Sequence, residues 1–255
     1  MNATFEPRLH RAAPDELAGR VIAITGAGDG IGRAVAVTCA AHGAEVVLLG
    51  RTVGKLEKVY DEIVAAGGVA PIIAPLDLEK ATAHEYDAIA AAIGTRYGRL
   101  DGLLHNASLL GDLSPIEHYD VPLFTRVLHV NVTAAFALTQ VLLAQLRASP
   151  DASVVFTSSS VGRRGRAYWG AYAVSKFAIE GLSQVLADEL AGTTAVRVNA
   201  INPGATRTAM RRAAYPAEDP ARLAMPADIT AAYVFLLGPA SKGMTGQSVD
   251  AQAPR

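Results

Sequence analysis

Tyr172 and Lys176 stand four positions apart in the segment Tyr172-Ala-Val-Ser-Lys176. At the start of a predicted helix that spacing puts both side chains on one face. A free phenol titrates near pH ~10, and a neighbouring ammonium favours the phenolate and lowers that value. Each unit of lowering corresponds to ~1.4 kcal/mol, so a few units would let Tyr172 give or take a proton near neutrality. The same pair also occurs on ordinary exposed helices, so its meaning depends on what surrounds it. Upstream, Thr157-Ser158-Ser159-Ser160 ends an apolar run. A hydroxyl there, at the carboxyl edge of a parallel sheet, is placed to hold a substrate carbonyl oxygen.

A second group of residues is suited to phosphate. The first apolar run leads through Thr25-Gly26-Ala27-Gly28-Asp29-Gly30-Ile31-Gly32 straight into a predicted helix. Glycines 26, 30 and 32 miss the common G-x-G-x-x-G spacing, yet they meet its physical requirement. That requirement is a tight turn, close backbone approach and a helix N-terminus facing a pyrophosphate. No G-K-[ST] follows, which disfavours a P-loop kinase or ATPase. The next run ends Leu48-Leu49-Gly50-Arg51. An NAD-selective site usually places Asp or Glu there for the ribose 2′-hydroxyl. Gly50 followed by a guanidinium suits a 2′-phosphate instead, so NADP(H) is the expected cofactor.

The elements that must position these groups are legible as alternation. Apolar runs at 21–25, 45–49, 71–76, 102–105, 153–157, 196–201 and 248–250 are hydrophobic on successive residues, as in strands buried on both faces. Between them lie helical patterns near 31–42, 52–66, 82–97, 122–148, 172–191 and 227–237, with a capping box from Thr82 to Glu85 and Pro226 at a helix start. This predicts a single-domain, doubly wound parallel α/β sheet of about seven strands with helices on both faces. The domain is expected over 20–255, after an N-terminal extension at 1–19. The segment 207–225, with Pro216, Pro220 and several arginines, breaks the alternation and is expected to be a substrate-covering lid.

Composition narrows the function further. With 51% hydrophobic and 18% charged residues, global disorder is excluded. The 23 basic and 24 acidic residues cancel to a net charge of −1, which argues against a nucleic-acid partner despite the small cluster Arg163, Arg164 and Arg166. A single cysteine, Cys39, rules out an intrachain disulfide or a cysteine-based zinc site, and the six histidines show no ligand spacing. No uninterrupted apolar stretch nears ~18 residues and no secretory leader is legible, so a cytoplasmic protein without a membrane partner is expected.

Taken in order, Thr25-Gly26…Gly30-Ile31-Gly32, Asp77, Asn106-Ala107, Asn131, the serine strand, Tyr172…Lys176 and Pro203-Gly204…Thr208 resemble the short-chain dehydrogenase/reductase family over about 20–250. The stretches around 157–166, 169–172 and 202–210 look most similar to its bacterial YciK-like branch. The resemblance implies a Rossmann-type fold and hydride transfer between NADP(H) and a carbonyl or secondary alcohol. Tyr172 would be the acid/base, Lys176 would tune it and bind the nicotinamide ribose, and Asn131 would hold a relay water. Family spacing selects Ser159 as the carbonyl-orienting serine, since it precedes Tyr172 by 13 residues and Gly162 follows it by three. The resemblance puts Asp77 and Leu78 at the adenine and Asn106 and Ala107 at its ribose. Thr206 and Thr208, after Pro203-Gly204, would lie near the carboxamide and pyrophosphate. One departure is Ser108, where the family usually has glycine.

The rival expectation is an NADP(H)-binding sensor or scaffold with little turnover, against which the intact set Asn131, Ser159, Tyr172 and Lys176 weighs. A dehydratase or epimerase fits less well. Leu109, Leu110, Tyr168, Trp169 and the 207–225 segment are candidates for an apolar substrate pocket. The resemblance further implies a homodimer or homotetramer through the helices near 122–148 and 172–191.

Overall fold

The computed structural model describes residues 6–253; the first five residues of the expected extension and the last two of the domain lie outside them. Seven strands, β1 (Val21–Thr25), β2 (Glu45–Gly50), β3 (Ile72–Pro75), β4 (Gly102–His105), β5 (Ser153–Thr157), β6 (Arg197–Asn202) and β7 (Ser248–Asp250), form one parallel sheet in the order β3-β2-β1-β4-β5-β6-β7. The order reverses between β1 and β4. At such a switch point the loops leaving the two strands part in opposite directions and open a crevice at their carboxyl ends.

Eight α-helices cover the sheet: α1 (Gly30–Ala41), α2 (Val53–Ala65), α3 (Ala83–Tyr97), α4 (Val121–Leu128), α5 (Ala134–Arg147), α6 (Gly170–Leu190), α7 (Ala209–Ala214) and α8 (Thr230–Leu237). One core packs α1, α2 and α8 on one face through Val35, Leu56, Ile63 and Leu236; the other packs α3, α5 and α6 through Ile93, Leu138, Leu142 and Ile179. The strands between are buried on both faces, which is why they read as unbroken apolar runs.

Three segments differ from their sequence expectation. The helix expected at 122–148 is α4 and α5 joined by a π-helical turn, His129–Thr133, which inserts the extra residue that carries Asn131. The whole run Val121–Arg147 has the length and apolarity to cross a bilayer, but Leu138, Leu142 and Leu146 are buried in the core. The segment 207–225, expected as a lid that breaks the alternation, holds α7 and a 3-10 turn at Pro220–Arg222, pinned by a bridge from Thr206 to Ala224. Residues 6–19 are packed in: Leu17 is fully buried and its N–H donates to the His42 carbonyl at 2.9 Å, and His10 stands edge-on to Phe235.

Candidate active site

The crevice at the β1/β4 switch point is a single cleft of about 520 Å³. Its phosphate end is built by the turn between β1 and α1. A Cβ at Gly32 would collide with the Gly26 carbonyl and stand 2.7 Å from Asn106 Nδ2, so only glycine lets α1 start this close to the turn. The Thr25 hydroxyl accepts from the N–H groups of Asn106 (2.9 Å) and Ala107 (3.1 Å), locking the ends of β1 and β4 together. Asp29 caps α1 by accepting from Gly30 N at 2.7 Å and pairs with Lys55 Nζ at 2.5 Å. The lysine hydrogen bond holds the Asp29 carboxyl below its usual range.

Of the residues expected to hold the cofactor, Gly26, Asp29, Gly30, Ile31, Arg51, Asp77, Leu78, Asn106, Ala107, Pro203, Gly204, Thr206 and Thr208 all line this cleft, and Gly32 lies beneath it. Thr208 also caps α7, accepting from Arg211 N at 3.1 Å. Thr52 and Lys55 line the same end as Arg51 and were missed in the sequence. Lys55 was findable only as a cation one turn beyond Arg51 on α2. Ser108 Oγ is buried in the cleft wall without a partner among the described residues. A helix N-terminus, a close-approach glycine, a rim arginine and an unpaired hydroxyl are together what a phosphate-bearing dinucleotide needs.

The other end carries the proton-transfer candidates. Ser159, Tyr172 and Lys176 line the cleft together, with the Ser159 hydroxyl favouring the charged form of the Tyr172 phenol. Among the three serines the geometry separates roles. Ser158 also lines the cleft but is buried, with its hydroxyl donating a hydrogen bond to Glu180 Oε1 at 2.6 Å, whereas Ser160 is exposed and outside the cleft. Gly162 lets the turn after Ser159 touch α6, since a Cβ there would stand 2.9 Å from Lys176 Cβ. Lys176, 3% exposed, donates to the Thr157 carbonyl at 2.8 Å and lies 5.4 Å from the Tyr172 ring centre.

The electrostatics correct one expectation. Lys176 was expected to lower the phenol's pKa, whereas burial is the dominant influence and pushes Tyr172 up to about 12, with the Ser159 hydroxyl drawing it partway back. Burial also brings Lys176 down to about 8, opposed by the carboxylate of Glu180. Both shifts have one cause. A dry site disfavours the charged form of either group.

Asn131 is buried behind the cleft and does not line it. Its Oδ1 accepts from Leu109 N at 2.7 Å, and its amide donates to Leu109 O and Ser175 Oγ, both at 2.9 Å. The side chain is therefore a brace between the loop after β4 and helix α6. Of the apolar candidates, Leu109, Leu110 and Trp169 line the cleft, joined by Met210 and Ala214 of α7, while Tyr168 is 61% exposed with φ of 72° and stays outside. Trp169 lies 5.7 Å from the rings of both Tyr172 and Tyr215, and Arg166 donates to the Tyr215 hydroxyl at 2.5 Å. Tyr215 also stacks under Arg211, 3.8 Å from its ring centre.

The family model for short chain dehydrogenase matches residues 20–219. The oxidoreductase YciK of Escherichia coli K12 is 52% identical over 241 residues, 94% of this chain and 95% of that protein. Levodione reductase of Leifsonia aquatica is 32% identical over 191 residues, 75% of this chain and 71% of that protein. A protein from Escherichia coli CFT073, solved in complex with NADPH, superposes with a TM-score of 0.92 at 51% identity, covering 94% of this chain and all of that one.

Proposed function

Because this chain belongs to the short-chain dehydrogenase/reductase family, we propose that it interconverts a carbonyl compound and a secondary alcohol with NADP(H), using Tyr172 to move the proton. The observation that carries this reading is the convergence of Ser159, Tyr172 and Lys176 at one end of a cleft whose other end is a phosphate-suited turn with Arg51 at its rim. The NADPH complex of a relative 51% identical supports the cofactor, and the ketone-reducing name of levodione reductase supports the substrate class.

NADP(H), when bound, supplies or accepts a hydride at the nicotinamide. The chain does the rest. The Ser159 hydroxyl orients the carbonyl oxygen against the phenol. Tyr172, held protonated at neutral pH by its burial, gives its proton to that oxygen as the carbon gains the hydride. An alkoxide is a stronger base than a phenolate, so this transfer runs downhill in the reduction direction. Lys176 stabilises the phenolate left behind and would hold the nicotinamide ribose. Asn131 keeps Leu109 and α6 in register, and water is kept out by Trp169, Leu110 and Met210 with the 207–225 segment as the lid.

A sensor without turnover would need the cleft but not the convergence of hydroxyl, phenol and ammonium. Exposed Phe136 on α5 and Val174, Phe177 and Val185 on α6 fit the expected homo-oligomer, which light scattering would detect. The function itself is tested by a screen of cyclic and acyclic ketones followed by NADPH absorbance. Consumption with at least one ketone is expected. No consumption across the screen, with NADPH bound, would favour the sensor.

A further inference from the structure

Glu180 is a buried carboxylate, its side chain 10% exposed, one helical turn beyond Lys176 and absent from the cleft wall. It is not idle. Its Oε1 accepts from Ser158 Oγ at 2.6 Å and from Ser248 Oγ at 2.8 Å. Arg163 stands 3.6 Å away, where it also donates to Ser248 and to Asp250 Oδ1 at 2.9 Å. One oxygen thus joins the end of β5, helix α6 and strand β7.

We propose that Glu180 is a positioning residue for the proton-transfer end of the cleft: through Ser158 it holds the turn that presents Ser159, and its charge keeps Lys176 cationic. The inference rests on the reading of Ser159, Tyr172 and Lys176 given above.

Two physical points support it. An ammonium buried to 3% exposure, with a neutral carbonyl as its hydrogen-bond partner, strongly disfavours its own charge. A carboxylate at i+4 shares the helix face of that lysine and offsets the cost. The charged surroundings point the same way. Arg163 is shared between Glu180 at 3.6 Å and Asp250 at 2.9 Å, and Arg126 of the packed helix α4 is engaged by Glu79 at 2.7 Å. Asn131 and Ser175 contribute dipoles, not charge. Glu180 is the carboxylate that opposes the loss of the lysine proton. The hydroxyl of Ser158 gains a fixed acceptor at the same time, so the residue before Ser159 cannot turn.

The test titrates the lysine directly. The chain has five lysines, so 13Cε-lysine labelling of the full-length protein gives a spectrum in which the signal missing from Lys176→Met identifies Lys176. In the parent its midpoint should lie near 8. Glu180→Gln keeps size and hydrogen-bonding capacity but removes the charge, and should lower the midpoint by about one unit, a tenfold change in the protonation equilibrium. Glu180→Asp should stay near the parent. A purely structural Glu180 predicts the opposite sign, because a loosened, wetter site moves the midpoint up. An unmoved or raised midpoint in Glu180→Gln would overturn the proposal. If that variant does not fold, Glu180→Met decides, since an apolar side chain of similar length removes the charge without wetting the site and should again lower the midpoint; an unmoved or raised midpoint there would overturn it as well. No step of this test uses a ketone. A failed NADPH screen would remove the proposed function and leave the titration standing, and the converse also holds.

Discussion

The Lys176 ammonium donates to the main-chain carbonyl of Thr157 across 2.8 Å, which ties the residue flanking the phenol to the strand that carries the serines. Helix and strand therefore locate Tyr172, the proposed acid, and Ser159, its proposed carbonyl-orienting partner, against each other before any ligand arrives. Pre-positioning of this kind saves the entropy of assembling the groups during the reaction.

The first prediction follows from that tie. Tyr172→Phe keeps the ring beside Trp169 and removes the transferable proton. With a ketone from the screen, turnover should fall by ~10²–10⁴-fold, the usual share of a positioned acid, while calorimetry shows NADPH binding intact. Lys176→Ala should lower turnover, NADPH affinity and melting temperature together. Near-parental turnover in Tyr172→Phe would refute the mechanism even if the cofactor still bound.

The three serines should separate in the order of their contacts. Ser159→Ala should cost turnover by orders of magnitude with little change in thermal stability. Ser160→Ala, exposed and outside the cleft, should be close to silent. Ser158→Ala leaves Glu180 short of one buried donor and should lower stability by ~1–3 kcal/mol in urea unfolding. A larger kinetic loss at Ser160 than at Ser159 would show that the wrong serine had been assigned.

Cofactor choice should reside largely in Arg51. A hydrogen bond to a charged group contributes ~1.5–3 kcal/mol, so the parent should prefer NADPH over NADH by about tenfold or more, and Arg51→Ala should lose most of that preference. Lys55 is the cation to watch as a partial substitute, since it lines the same end of the cleft, though Asp29 holds it at 2.5 Å. Equal dissociation constants for the two cofactors in the parent would eliminate this assignment.

Much of this arrangement was legible because buried parallel strands and core helices leave different periodicities, and because the chemical residues sit at strand ends where ligands bind. Glycines 26 and 32 and the Tyr172/Lys176 pair needed only local geometry. What stayed hidden depends on tertiary neighbours. The π-helical turn at 129–133 adds one residue to a long apolar helix and barely disturbs its pattern. Burial of Tyr172 reverses the sign of a shift that spacing alone makes negative. The pairing of Asp29 with Lys55, and of Glu180 with Ser158 and Ser248, joins positions that no sequence window contains.

The last prediction concerns acid stability. His105 ends β4 fully enclosed, stacked 4.8 Å from Phe156 and 2.8 Å from the Thr139 hydroxyl, and burial holds its imidazole down at about 3 against an ordinary 6.5. Between those values the unfolded chain takes up a proton that the folded chain refuses. The contribution of neutral His105 is therefore complete above pH ~6.5 and is lost as pH falls towards ~3, with a slope approaching ~1.4 kcal/mol per unit. Urea midpoints measured from pH 7 to 4 should fall more steeply for the parent than for His105→Phe. Parallel slopes would mean that His105 is protonated in the native state.

The indole of Trp169 is the only one in the chain, and it stands between the rings of Tyr172 and Tyr215 with the Arg166 guanidinium 6.0 Å away. Tryptophan emission from this protein therefore originates at a single place, the seam between the Ser159/Tyr172 end of the cleft and the 207–225 segment. Quenching, spectral shift or energy transfer to a reduced nicotinamide would report events at that seam with no background from a second fluorophore of the same kind. The molecule carries its own optical gauge, and stopped-flow traces of the unlabelled parent can time cofactor binding at that seam separately from the chemistry that follows.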